Sequence, residues 1–153
     1  MDMIRPAGRD DYPAIARLRA QMQAQHEVVR PDYFSVEDLC IDEKEFAKML
    51  KPRKFTWLVA EDTDKRVVGY ALCVRAGKAL VLDEMCVDES YRGQGIGTQM
   101  MDALKDLATQ TGADSLELEV WECNPAAARF YERCGMAVQR RRMEWPTHET
   151  NMQ

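Results

Sequence analysis

The order of apolar and polar residues predicts strands and helices along the whole chain. Two-residue alternation and short apolar runs between turn residues are typical of strands. They predict strands over about Met3–Arg5, Phe55–Ala60, Val67–Arg75, Ala79–Val87, Leu116–Val120 and Ala137–Trp145. The turns at 62–65 and 76–78 are short enough for hairpins. We therefore expect the strands in the middle of the chain to be consecutive and antiparallel.

Apolar residues three and four positions apart predict helices between the strands. The first covers about Asp11–Gln25, and a second begins near Ser35, with an interruption at Ile41–Glu43. A third follows a glycine-rich stretch, and a fourth lies between the cap residue Asn124 and Gly135. The chain thus contains helices on either side of a run of strands.

Length and composition suit one domain. The 153 residues are 46% hydrophobic and 31% charged, which is enough to bury a single core. We expect one domain over residues 1–146 and a flexible tail over 147–153. No apolar run approaches the roughly 20 residues of a membrane span, and Met1–Pro6 lacks the apolar region of a signal peptide. The expected location is the cytoplasm, without a membrane partner.

Charge and cysteine content narrow the function classes. The formal net charge of −5 and the lack of a long basic block argue against nucleic acid as a partner and favour cationic ligands. The five cysteines are odd in number and form no C-x-x-C pair. They predict neither a disulfide framework nor a metal site.

A glycine-rich stretch joins the fourth predicted strand to the third helix. It consists of Arg92, Gly93, Gln94, Gly95, Ile96, Gly97 and Thr98. Glycine allows positive φ and a close approach of ligand to backbone, while free N–H groups at a helix start attract anions. The P-loop ending G-K-[ST] is missing, and Thr98 stands where the dinucleotide fingerprint requires glycine. We expect a diphosphate-binding loop of a different kind, with a plain turn as the alternative.

A second motif surrounds the fourth helix. It comprises Asn124, Ala127, Phe130, Tyr131 and Gly135. Together with the glycine-rich stretch it resembles the GNAT family of N-acetyltransferases, whose patterns are R/Q-x-x-G-x-G/A and N-x-x-A-x-x-F-Y-x-x-x-G-F. Met136 replaces the usual final Phe and remains apolar. Two such motifs in the family's order favour membership far more than either motif does by itself.

The resemblance covers nearly the full chain and implies the GNAT acyl-CoA N-acyltransferase fold, of the α/β (α+β) class. That fold has a mixed, mostly antiparallel central sheet, flanked by helices and splayed between strands 4 and 5. In the family, the splay receives the pantetheine arm of acetyl-CoA and the glycine loop receives its diphosphate; no metal is implied. The residues implied to bind acetyl-CoA are Met85, Cys86, Val87, Arg92, Gly93, Gln94, Gly95, Ile96, Gly97, Thr98 and Asn124.

Acyl transfer from a thioester to an amine requires a base, because an alkyl amine of pKa about 10.4 is protonated at pH 7. Asp83 and Glu84 lie in an otherwise apolar strand, where only one of two neighbours faces the cleft unless there is a local bulge. The resemblance places Asp83 at the position of the proposed base in glucosamine-phosphate and polyamine acetyltransferases. Glu84, or a water held by both carboxylates, is the alternative. The resemblance also places Tyr131 beside the thioester sulfur, where we expect its phenol to protonate the leaving thiolate.

These features predict an acetyl-CoA-dependent N-acetyltransferase that acetylates a primary amine by direct attack in a ternary complex. The likeness of residues 91–97 and 121–124 to diamine acetyltransferases, together with the acidic charge, favours a small cationic amine as acceptor. The alternatives are acetylation of a protein N-terminus or lysine, and a non-catalytic acyl-CoA-sensing module. A homodimer through the edge of the last strand is compatible with the sequence, which leaves the oligomeric state open.

Overall fold

The computed structural model describes residues 3–29, 41–51 and 54–147. Helices and strands within these ranges follow one another in nearly the expected order. They are β1 (Ile4–Pro6), α1 (Tyr12–Val29), α2 (Glu43–Met49), β2 (Phe55–Glu61), β3 (Val67–Ala76), β4 (Ala79–Val87), α3 (Ile96–Gln110), β5 (Ser115–Leu118) and α4 (Pro125–Arg133). Short 3-10 turns precede α1 at Arg9–Asp11 and follow β4 at Glu89–Tyr91.

The strands form one sheet in the order β1-β2-β3-β4-β5. The pairs from β1 to β4 are antiparallel, and β5 is parallel to β4. The parallel pair follows from the chain path, because α3 returns the chain to the end of the sheet where β4 began. The predicted mixed, mostly antiparallel sheet is confirmed.

A β-bulge interrupts the pairing of β3 with β4. Leu72 is opposite Glu84 while the next residue, Cys73, is opposite Leu82, so that Asp83 is the surplus residue. The parallel pairing of β4 with β5 also stops here, at Leu82 opposite Leu118. Beyond Leu82, β4 continues to Val87 with β3 as its only paired neighbour among the described strands. The predicted splay between strands 4 and 5 is confirmed.

Helix α3 covers one face of the sheet. Its buried residues Met100, Leu104 and Ala108 recur every four positions, and Met101 joins them. They pack against strand residues such as Leu82. Each large aliphatic side chain buried in this way contributes about 1.5–3 kcal/mol, so this layer stabilises the sheet on one side.

Helices α1 and α2 cover the other face. Ile15, Leu18 and Met22 of α1 are buried beside Phe46 of α2. Asp42 caps α2 by accepting a hydrogen bond from the Glu45 N–H at 2.7 Å, and this explains the interruption expected at Ile41–Glu43. The Ser35 start expected for the second helix lies outside the described residues.

An ion pair fixes the start of the chain to this layer. Arg5 donates to both carboxylate oxygens of Asp11, at 2.8 and 2.9 Å, and the Gly8 N–H donates to the same carboxylate at 2.7 Å. Hydrogen bonds from Arg5 keep the pKa of Asp11 below its ordinary value. The pair joins β1 to the turn that leads into α1.

The strand expected over 137–145 is wrong. Residues 137–147, here termed the C-terminal arm, have no regular secondary structure, and every one of them is exposed. Alternation alone predicted this strand, but a strand also needs a hydrogen-bonding neighbour, and no described strand of the chain pairs with the arm. Of the tail expected from Thr147 onwards, only Thr147 is among the described residues.

Candidate active site

The glycine-rich stretch leads directly into α3. Gly95 occupies the N-cap position with φ +81°, and Gly93 before it has φ +79°. A Cβ added at either glycine would meet nothing within 4 Å, so the backbone here borders open space. The first N–H groups of a helix have no intrahelical partner and point outward from its start. The loop therefore has the space and the donors that a diphosphate requires.

Gly97 has a different function from the other two glycines. It lies inside α3, and a Cβ added there would stand only 3.1 Å from Phe130 Cζ. Gly97 thus lets α4 pack against the first turn of α3. Because Tyr131 follows Phe130, this contact also fixes the candidate acid near the glycine loop.

Asp88 fixes the turn that precedes the glycine-rich stretch. Its carboxylate accepts hydrogen bonds from Arg17 at 2.7 Å and from the Ser90 N–H at 3.1 Å, and its own N–H donates to Val68. The Arg17 bond is the main reason why the pKa of Asp88 lies below its ordinary value. Arg92, in contrast, is exposed and donates from Nε to the Val87 carbonyl at 3.3 Å. Its guanidinium therefore stands at the end of β4, next to the splay.

The end of β4 borders the splay. Met85 and Val87 pack toward the α3 layer, whereas Cys86 is buried on the α1 side and donates from Sγ to the Leu18 carbonyl. Burial raises the pKa of the Cys86 thiol to about 11, so it is not a thiolate nucleophile at neutral pH. What these residues offer to a ligand in the splay is therefore their backbone.

The carboxylate of Glu84 is part of a buried hydrogen-bond network. Its Oε1 accepts hydrogen bonds from Arg19 Nε and from the Tyr70 hydroxyl, both at 2.8 Å, and its Oε2 accepts from Arg19 Nη2 at 2.8 Å. Arg19 is only 6% exposed. Taking a proton from a substrate would break this ion pair and remove the carboxylate charge that balances the buried arginine.

Asp83 has the opposite environment. As the surplus residue of the bulge it is exposed, and no described residue forms an ion pair with it. Partial burial of its carboxyl, followed by the negative charges of Glu84 and Glu119, raises its pKa. A raised pKa makes a carboxylate a better proton acceptor. The bulge thus separates two adjacent acids into a structural one and a free one.

The side chain of Tyr131 is half-buried and stacks edge-on against Phe130, with ring centroids 5.1 Å apart. No described residue hydrogen-bonds its hydroxyl. Burial raises its pKa to about 12, and Cys134 adds to the rise. This pKa is well above that of a free thiol, about 8.5, so complete proton transfer from the phenol to a thiolate is unfavourable. Tyr131 is therefore suited to donate a hydrogen bond rather than to lose its proton early.

Asn124 is the N-cap of α4. Its Oδ1 accepts a hydrogen bond from the Ala127 N–H at 3.2 Å, which leaves its amide NH₂ group available to donate to a ligand. At the other end of the helix, Gly135 adopts φ +94° and Lys105 donates to the Cys134 carbonyl. Both ends of α4 are thus held as the sequence predicts.

The sequence did not predict the roles of Arg19 and Tyr70. A signal for Arg19 was present, because it lies on the same face of α1 as Ile15 and Met22, at i+4 and i−3. A charged residue on an apolar face indicates a buried partner. Tyr70 carried no such signal, since an aromatic residue in an apolar strand is ordinary core.

The splayed sheet with a glycine loop at its open end defines the GNAT class of fold. The family model described as the Acetyltransferase (GNAT) family matches residues 19–136, and the chain belongs to this family. N-alpha-acetyltransferase 30 of Schizosaccharomyces pombe is 36% identical over 88 residues, 54% of this chain and 58% of the relative. Thialysine N-epsilon-acetyltransferase of Mus musculus is 31% identical over 80 residues, 49% and 47% of the two chains. The chain spans about half the length of these curated relatives.

Solved structures have the same fold. A mutant of the BH1408 protein from Bacillus halodurans matches with a TM-score of 0.86 and 28% identity, over 95% of this chain and 99% of that chain. An aminoglycoside acetyltransferase from an uncultured soil metagenomic sample, in complex with sisomicin, matches with a TM-score of 0.73 and 18% identity over 95% of both. In the described part of the chain, no helix is long and apolar enough to cross a membrane, and no group of three or more His, Cys, Asp or Glu is arranged to hold a metal.

Proposed function

We propose that this protein is an acetyl-CoA-dependent N-acetyltransferase that acetylates a primary amine by direct attack. The observation that supports this most strongly is the coincidence of three features at Asp83. The bulge and the free carboxylate are at Asp83, and the β4–β5 pairing ends one residue before it, at Leu82. The residues present fit acetyl-CoA, with open backbone at Gly93 and Gly95 for its diphosphate.

Asp83 is the proposed base. The amine nitrogen attacks the thioester carbonyl, and its proton passes to the Asp83 carboxylate directly or through water as the C–N bond forms. The raised pKa of Asp83 favours this acceptance. Glu84 instead holds the strand against α1 through Arg19. The environments of the two acids favour Asp83 as the base over Glu84.

Tyr131 is the proposed partner of the leaving sulfur. The C–S bond breaks as the tetrahedral intermediate collapses, and the hydroxyl stabilises the thiolate by a hydrogen bond. Because its pKa is about 12, the phenol keeps its own proton, and the thiolate takes its final proton from solvent or from the protonated base. The overall products are an amide and a free thiol.

The acceptor pocket is proposed between α1 and the sheet. The side chains of Gln23 and Trp57 are buried there, at 4% and 3% exposure, and among the described residues Gln23 Oε1 and Trp57 Nε1 have no hydrogen-bond partner. The ring centroids of Trp57 and Tyr70 are 6.1 Å apart, and the Tyr70 hydroxyl donates a hydrogen bond to Glu84. Buried polar atoms of this kind are usually satisfied. Gln23 Oε1 can accept a hydrogen bond from an ammonium group, and the net charge of −5 attracts cations. Both observations support a small cationic amine as the acceptor.

A protein N-terminus is the second candidate acceptor. It is favoured by one observation, the 36% identity to N-alpha-acetyltransferase 30 of Schizosaccharomyces pombe. Both candidates use the same reacting groups, so the choice depends on the acceptor pocket alone.

The first experiment incubates the purified protein with acetyl-CoA and separate panels of polyamines, aminoglycosides, amino acids and peptides, and measures product by mass spectrometry. We expect selective product on one cationic amine class, and Tyr131→Phe should lower kcat roughly 10- to 1000-fold with little change in the Kd of acetyl-CoA. Tyr12→Phe is the matched control, since its hydroxyl only donates to the Ile41 carbonyl. Binding of acetyl-CoA without product on any amine would favour the sensing module instead.

A further inference from the structure

Two buried polar atoms in the layer between α1 and the sheet have unsatisfied hydrogen-bonding capacity. Gln23 of α1 and Trp57 of β2 are both almost fully buried. Among the described residues, nothing hydrogen-bonds Gln23 Oε1 or Trp57 Nε1. A buried polar atom without a partner destabilises the folded state, and most such atoms in proteins are satisfied. A bound molecule that completes these hydrogen bonds would therefore be favoured at this place.

Both residues approach the Glu84 network, from two different elements. Gln23 is one helical turn after Arg19 in α1, so the two side chains leave the helix on the same side. Arg19 Nε in turn donates to Glu84. Trp57 lies against the ring of Tyr70, whose hydroxyl donates to Glu84. Glu84 directly follows the proposed base in β4, so the two unsatisfied atoms border the region where the acceptor must react.

The two atoms have opposite hydrogen-bonding character. The indole N–H of Trp57 can only donate, whereas the amide oxygen of Gln23 can only accept. An ammonium group has donors alone and a carboxylate has acceptors alone, so each could satisfy one of the two atoms but not the other. A hydroxyl group donates and accepts, and it costs less to bury than a charged group. The chemistry of this pair therefore suits a hydroxyl group.

We propose that Gln23 and Trp57 bind a hydroxyl group of the acceptor, so that the substrate is a hydroxylated primary amine such as an amino alcohol or an amino sugar. This inference rests on the proposed acetyltransferase function and names the substrate class of the same site. The amine reacts at Asp83, while the hydroxyl accepts a hydrogen bond from Trp57 Nε1 and donates one to Gln23 Oε1. The hydroxyl takes no part in bond making. It fixes the orientation in which the amine meets the thioester.

Matched pairs of amines test this substrate class. Each pair has the same carbon skeleton with and without the hydroxyl: ethanolamine and ethylamine, aminopropanol and propylamine, aminocyclohexanol and cyclohexylamine. For at least one pair, we expect the full chain to acetylate the hydroxylated amine with kcat/KM at least roughly tenfold above that of its partner, because the plain amine leaves both buried atoms unsatisfied. Equal values within every pair would overturn the inference alone, and would mean that a trapped water satisfies the two atoms. No product from any amine would overturn the proposed function, and this inference with it.

Two conservative variants test the two residues. Trp57→Phe removes the indole N–H, and Gln23→Met removes the amide oxygen. Each should reduce the preference for the hydroxylated amine at least roughly fivefold, with kcat/KM for the plain amine changed by less than about twofold. Gln25→Met is the matched control on the same helix, because its amide donates to the exposed Glu89 outside this layer, and it should keep the full preference. An undiminished preference in either buried variant would overturn the proposal.

Stability gives a second readout that separates substrate binding from a structural role. Gln23→Met removes an unsatisfied buried amide oxygen and no internal hydrogen bond of that oxygen, so its urea midpoint should equal or exceed that of the wild type. A lower midpoint would mean that the amide is satisfied inside the folded protein, which would overturn its assignment to the substrate. Circular dichroism checks that Trp57→Phe is folded before its kinetics are compared.

Discussion

Two neighbouring carboxylates have been given different chemistry by a single surplus residue. Glu84 is held by Arg19 and Tyr70, while Asp83 projects from the bulge with a raised pKa. At the scale of single residues, the candidate mechanism therefore depends on which carboxylate is already engaged in internal hydrogen bonds. Glu84 is engaged in this way and Asp83 is not.

Substitution of the two acids should separate these roles. Asp83→Asn should lower kcat about 10²- to 10⁴-fold with normal unfolding, because it removes the base but no internal contact. Glu84→Gln should act mainly on stability, by about 3–5 kcal/mol, because it removes the carboxylate charge that balances the buried Arg19. Urea unfolding and single-turnover kinetics on both variants check this. If Glu84→Gln proved stable but inactive, the assignment of the base would be reversed.

The dependence of kcat on pH should follow the ionisation of Asp83. A base works only when ionised, so activity should fall as pH drops through the pKa of Asp83, which lies above its ordinary value of about 3.9. Asp83→Asn should abolish this acid limb.

At the scale of elements, the helix boundaries were predictable because their signals are local. Asn124 and Gly135 each fix a helix end through their own side chain or backbone angle. The bulge at Asp83 was not predictable, because it depends on the register between β4 and β3. The last strand was predicted wrongly for the same reason, since alternation over 137–145 says nothing about a partner strand. Sequence thus defines where an element can begin, and long-range pairing decides whether it forms.

The glycine loop gives a prediction at this scale. Gly95→Val should raise the Kd of acetyl-CoA at least roughly tenfold, because the side chain would enter the open space before α3 and strain a backbone at φ +81°. Gly112→Val is the matched control at the other end of α3, with φ +72° and equally open surroundings. It should show a similar loss of stability, about 1–3 kcal/mol, with unchanged affinity. Calorimetric titration with acetyl-CoA measures both variants, and equal affinities would remove the loop from the binding site.

At the scale of the whole molecule, acid should loosen the attachment of β1. The pKa of Asp11 is lowered in the folded state, so its ion pair with Arg5 adds stability above the unfolded pKa of about 3.9 and loses it as pH falls further. Asp11→Asn should lower the free energy of unfolding by about 2 kcal/mol at pH 7, and by less below pH 4. The exposed Asp10→Asn is the control. Urea unfolding at pH 7 and pH 3 compares them; a constant difference would mean that the ion pair does not set the pH response.

The bulge also has a consequence for the shape of the molecule. Strand β4 has nine residues, and one of them, Asp83, has no partner in β3. Strand β5 has four residues, all paired with Ala79–Leu82, and it ends at Leu118. A chain lacking Asp83 would therefore keep every core residue and the opening beside β4, but it would lose the acid that the register shift leaves exposed. The short β5 thus makes the room beside β4, and the surplus residue puts an acid at its edge.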